Sequence, residues 1–215
     1  MKKFLILLWV ALTFPFVQAQ EFHFMPKIGM SFANLTNSEG KMAPGLNVGI
    51  AAEFPVFDSF SIEPGVYYSM QGTWSSSYVG MGDMRVVGDV TFDMDYINIP
   101  IYAKYYVYEG FHLFAGPQFG FNVHSSVNVD ARDFEGSGDN IDIKDAVNTF
   151  DFSIGIGAGY QFDMGLNIAI NYNIGLTHAL KQADFSDLGI DADEWEGWND
   201  SFRNSVLQIN LGYRF

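Results

Sequence analysis

Hydrophobic and polar residues alternate with a period of two along most of the chain. In residues 166–177, LNIAINYNIGLT, one face carries Leu166, Ile168, Ile170, Tyr172, Ile174 and Leu176. The other carries Asn167, Ala169, Asn171, Asn173, Gly175 and Thr177. Residues 151–162 behave alike, with Phe152, Ile154, Ile156, Ala158, Tyr160 and Phe162 opposite Asp151, Ser153, Gly155, Gly157, Gly159 and Gln161. A helix would mix the two sets, because its side chains repeat every 3.6 residues and those of a strand every two. The pattern predicts eight strands, at 21–34, 42–54, 59–72, 91–108, 111–126, 149–162, 165–178 and 204–215. No helical segment and no domain boundary is predicted.

The connections alternate in length. PVFD, EG and DMG are hairpin turns. Between them lie longer pieces: LTNSEGK, then TWSSSYVGMGDMRVVGDV at 73–90, then 127–148, then the stretch after 178. Short turns at one end and long loops at the other are the layout of an outer-membrane barrel. An even strand number returns both termini to the short-turn end, the periplasmic one in such a barrel.

A soluble eight-stranded barrel also alternates, with its apolar face inward. Three features point the apolar face outward. That face is uniformly bulky and the polar face is rich in Gly, Asn, Ser and Gln, as suits a lumen with room only for side chains. Aromatic residues sit near strand ends on the apolar face: Phe22, Phe54, Phe60, Tyr105, Phe111, Phe121, Phe162 and Tyr213. Charges of both signs, Lys27, Glu53, Glu63, Lys104 and Arg214, lie on the polar face. Facing lipid at mid-depth, a Lys or Arg would cost about 2–4 kcal/mol; facing inward, the five can pair. The expected fold is all-β, a closed, antiparallel, eight-stranded transmembrane β-barrel.

The first residues, MKKFLILLWVALTFPFVQAQ, have a basic start and an apolar run from Phe4 to Val17. They read as a secretory signal peptide over 1–19, cut between Ala19 and Gln20, and the run is short for a spanning helix. Residues 20–215 are then one barrel domain. Without Lys2 and Lys3, nine basic residues face 25 acidic ones, a formal charge of −16. That balance argues against nucleic acid and against a polybasic membrane patch. The chain has no cysteine, so no disulfide supports it.

Several stretches resemble the porin-like outer-membrane β-barrel family of Bacteroidota that includes PorT-like proteins. They are PKIGMSFANL, NIPIYAKYY (98–106), FAGPQFGF (114–121), GIGAGYQF (155–162), NYNIGLTH (171–178) and VLQINLGYRF (206–215). The resemblance implies an outer-membrane barrel and no single activity; a few members serve secretion or gliding machinery. The outward row Leu207, Ile209, Leu211, Tyr213 and Phe215 resembles the signal that such barrels present to the barrel assembly machinery.

Candidate chemistry is sparse. The loop DFSDLGIDADEWEGWND at 184–200 offers Asp191, Asp193 and Glu194 as cation ligands, without completing an EF-hand pattern. Divalent ions held loosely between such loops and lipopolysaccharide are the milder expectation; no other cofactor is expected. Trp195 and Trp198 form a recognition patch or pack on the barrel mouth. VNVDA and NIDIKD within 127–148 alternate, as a hairpin above the membrane would. The histidines are His23, His112, His124 and His178. His124 beside Ser125 and His178 beside Thr177 cannot form dyads within a strand, since neighbours point to opposite faces. No nucleophile elbow and no metal-binding histidine spacing occurs. The expectation is a non-enzymatic barrel with a filled lumen, whose acidic loops contact ligands, envelope components or an external or secretion-system partner. The alternative is a narrow porin-type channel.

Overall fold

In the computed structural model, which describes residues 22–36, 41–81, 84–131, 141–181 and 202–215, the chain is nearly all strand. The strands are β1 (His23–Leu35), β2 (Lys41–Phe57), β3 (Phe60–Met81), β4 (Met84–Tyr108), β5 (Phe111–Ala131), β6 (Ile141–Asp142), β7 (Phe150–Gln161), β8 (Leu166–Gly175) and β9 (Asn204–Tyr213). One 3-10 turn lies at Lys144–Ala146. Each long strand pairs antiparallel with its neighbours, and β9 returns to β1 from Lys27/Gly212 to Leu35/Asn204. Eight strands therefore close a barrel, and the two-residue β6 rests on β5 outside it. The segment proposed as a signal peptide lies outside the described residues.

The alternation in the sequence becomes an inside-out distribution of polarity. Ile170 and Ile209 are 47% and 44% exposed, whereas Asn171 and Asn210 beside them are 4% and 7% exposed. A soluble barrel would reverse this, because water would meet the apolar row. Around the turn end, Phe22 stacks on Phe54 at 6.0 Å. Tyr160 meets Phe162 edge to face at 4.7 Å, and Tyr213 meets Phe215 in the same way at 4.8 Å. Phe121 and Phe150 meet edge to face at 5.8 Å toward the other end. The outer wall is thus an apolar band with aromatic borders.

Two strands run much further than the alternation foretells. The expected loop 73–90 is instead a continuous ladder, from Thr73/Phe92 to Met81/Met84. β5 joins it as far as Gly88/Ala131. The hairpin expected within 127–148 is seen in part: VNVDA extends β5 and pairs with β4, while Ile141 and Asp142 pair antiparallel with β5 and the Ile143 N–H donates to the Ser125 carbonyl at 3.0 Å; residues 132–140 lie outside the described residues. Beyond the lipid band of such a barrel a strand needs no apolar row. The period-two signal fades there although backbone pairing continues.

Glycine makes room for the lumen's large residues. On β7, a Cβ at Gly155 would stand 2.7 Å from the Tyr102 ring and one at Gly159 2.6 Å from His112, and a Cβ at Gly157 would collide with the Phe114 ring. Tyr102, Phe114 and His112 thus lean across the barrel into a trench of glycines. At the β7–β8 turn, Gly165 has φ of 94°, a left-handed conformation that a side chain resists. We expect Gly155→Ala to destabilise the folded barrel by about 1–3 kcal/mol through overpacking. Tyr102→Leu in the same chain should recover part of that loss. Urea titration of the refolded barrel, followed by tryptophan fluorescence, measures both.

Candidate functional site: the lumen and its two mouths

Inward parity on four adjacent strands brings four charges together toward the turn end. Lys27 comes from β1, Glu53 from β2, Glu63 from β3 and Lys104 from β4. The Lys104 ammonium lies 2.9 Å from Glu53 and 3.0 Å from Glu63, and Lys27 lies 2.5 Å from Glu63. The Tyr106 hydroxyl donates to the second oxygen of Glu53 at 2.6 Å. Lys104 and Glu53 are 2% and 1% exposed. Two lysines and two glutamates leave no net charge, which is the condition for keeping ions in so dry a place.

Above this layer lies a network of amides. The Asn47 amide donates to Asn210 at 2.7 Å, Asn210 to Asn171 at 3.3 Å, and Asn171 to Gln208 at 3.0 Å. Asn173 also donates to Gln208 at 3.2 Å, and Tyr102 donates to Asn173 at 3.1 Å. Amides carry both donors and acceptors, so such rows cross a lumen without charge. Toward the loop end, Asp151 accepts from Thr177 at 3.1 Å and Asn204 at 3.2 Å. Asn204 also donates to Tyr96 at 3.2 Å.

The loop end is shut by apolar packing. Leu35, Met94, Tyr96, Val147 and Ala179 form a buried cluster, with Ile143, Leu180 and Phe202 against it. Val147 bridges Leu180, and the Asn148 side chain donates to the carbonyls of His178 and Leu180. Inside the barrel a void of about 20 Å³ borders Lys27, Glu63 and Asn98, too small for any solute larger than a water molecule. The turn end is different: it opens into a vestibule of about 630 Å³.

Of the five charges expected in the lumen, four meet and Arg214 stands apart. It is half-buried near the end of the chain and lines the vestibule. Among the described residues no carboxylate lies within 4.0 Å of its guanidinium. Asp191, Asp193 and Glu194 lie outside the described residues, as do Trp195 and Trp198. Ile209, Leu211, Tyr213 and Phe215 face outward with half-buried Leu207, and the Phe215 N–H donates to the Phe24 carbonyl at 3.0 Å. Among the described residues no histidine ring is hydrogen-bonded to a hydroxyl or to an Asp or Glu side chain: the His23 ring meets the main-chain oxygen of Phe215 and that of His112 meets the Gly110 carbonyl. The amide network is what the sequence reading missed. The signal was present in Asn167, Asn171, Asn173, Gln208 and Asn210, which alternate along the last two strands, but period two assigns only a face and not a partner.

A closed eight-stranded barrel with this polarity has a counterpart among known families. The family model described as outer membrane protein beta-barrel domain matches residues 18–181. The chain belongs to this family. No curated protein matches the sequence. Among solved structures, the barrel is similar to Neisserial surface protein A, at 12% identity over 90% of this chain and 97% of that one, with a TM-score of 0.51. Ail of Yersinia pestis shares 16% identity over 91% of this chain and all of its own, with a TM-score of 0.44. A major outer membrane protein of Thermus thermophilus shares 12% identity at the same TM-score and the same coverage. At such identities the likeness is one of fold. The match to the family model makes this a small outer-membrane β-barrel protein.

Lys104 is the cation that both buried glutamates share. We expect Lys104→Met to destabilise the outer-membrane barrel by about 3–5 kcal/mol, because buried Glu53 loses its ammonium partner while Glu63 keeps only Lys27. Arg214→Gln should change stability by less than about 0.5 kcal/mol. Urea midpoints of the two refolded variants decide the comparison.

Proposed function

We propose that this outer-membrane barrel is a non-enzymatic protein that acts through the surface of its loop end and does not conduct. The observation that carries this reading is the filled lumen: a neutral charge cluster, an amide network and an apolar seal lie in series across it. An ion crossing it would have to displace all three, and a charge in a dry interior costs far more than a channel can spend.

The loop end differs in chemistry from the rest of the chain. Residues 182–201 carry Asp184, Asp187, Asp191, Asp193, Glu194, Glu196 and Asp200 and no basic residue. Such a segment attracts cations and cationic surfaces over roughly a Debye length. In this reading the loops face outward and the turns and termini face the periplasm. The carboxylates, Asp191, Asp193 and Glu194 among them, share divalent ions loosely with the phosphates of lipopolysaccharide, and the same face meets an external or secretion-system partner. Export by a signal peptide over 1–19, insertion by the barrel assembly machinery through the outward row of β9, and a PorT-like Bacteroidota origin complete the proposal. The basic start and apolar run of residues 2–17 support the first of these, and the sequence stretches that resemble that group support the others.

Planar-bilayer recordings of the purified barrel should show no stable conductance steps; large, reproducible steps would favour the narrow-channel alternative. Binding of nanodisc-embedded barrel to lipopolysaccharide should weaken on chelation of divalent ions. It should weaken similarly in an Asp191→Asn, Asp193→Asn, Glu194→Gln variant. Binding indifferent to both would remove the ion-sharing role.

A further inference from the structure

The vestibule at the turn end is separate from the loop face, and its chemistry is mixed. Its volume of about 630 Å³ is in the range of small-molecule sites. Glu53 and Tyr106 reach it from the lumen side, but Lys104 already neutralises Glu53 and Tyr106 is bonded to it. Among the described residues, the charges left to face a visitor are Asp58, Glu109 and Asp163 on the three hairpin turns, and Arg214 just past the last strand. Arg214 is the only cation on the lining among the described residues, and its five N–H donors have no hydrogen-bond partner there. Ser61 also lines the vestibule. It is 3% exposed, and its hydroxyl makes no hydrogen bond to a described residue. The hydroxyl oxygen itself is not cut off from solvent, so it is free to donate to a molecule in the vestibule.

We propose that this vestibule binds a small zwitterion, an amino acid or short peptide with a free carboxylate. The carboxylate lies on the Arg214 fork and takes the Ser61 hydroxyl as a further donor. The ammonium group or groups turn toward Asp58, Glu109 and Asp163. Three acids against one cation disfavour a simple anion, and the unpaired guanidinium disfavours a simple amine. A ligand with both groups, of zero or positive net charge, satisfies the whole lining. The planar guanidinium suits a carboxylate geometrically, since it offers two parallel donors.

The test uses the full barrel refolded in detergent micelles, isotopically labelled, with glycyl-lysine as the probe and its C-terminal amide as the control. Nuclear magnetic resonance should show saturable shifts confined to the vestibule at millimolar dipeptide. The amide should bind about tenfold more weakly or worse, the loss expected for a charge-assisted pair. Arg214→Gln should abolish the preference for the free carboxylate, and Ser61→Ala should reduce the affinity for it. Equal binding of dipeptide and amide, or no saturable shift on the wild-type barrel, overturns the proposal. The wild-type comparison decides even where a variant fails to fold.

Discussion

A strand inside a bilayer has no water to receive its backbone hydrogen bonds, so its last edge must find its first. Here that requirement is met by β9 on β1, an unbroken register from Lys27/Gly212 to Leu35/Asn204. The ladder continues beyond the strand in the bond from the Phe215 N–H to the Phe24 carbonyl. Every other property of the molecule follows from closing at eight strands. The wall becomes a single apolar band, and the lumen becomes so narrow that side chains must fill it.

Filling such a lumen is a packing problem with polar pieces. Large inward residues on β4 and β5 need small ones opposite, and the glycines at 155, 157 and 159 on β7 supply them. Charges can enter only in balanced groups, and the pairing of Lys27 and Lys104 with Glu53 and Glu63 is one. Asparagine and glutamine then bridge the remaining width, because each amide can give and receive. The two mouths are sealed differently: by leucine, tyrosine, valine and alanine at the loop end, and by the charge cluster beneath an open vestibule at the turn end. The barrel therefore has polarity along its axis as well as across its wall.

Much of this was legible along the chain. The eight strands, their order, the outward aromatic rows and the inward set of charges all follow from period two and turn chemistry. The boundaries went astray where that signal has no physical cause. Residues 73–90 pair as a hairpin above the membrane band, where neither side of a strand must be apolar. Arg214 shared the parity of the lumen charges and still did not join them, because parity says nothing about depth, and the last residues of the chain lie level with the vestibule.

The sequence by itself determined the fold class, the direction each strand residue faces and the acidity of the loop end, since these depend on local order and composition. The tertiary structure decided which charges meet, which amides bridge, where the loop end is shut and that a vestibule remains open at the turns. Those are contacts between residues as far apart as Asn47 and Asn210. They depend on strand tilt and stagger around a closed ring, and a linear pattern of period two does not encode either.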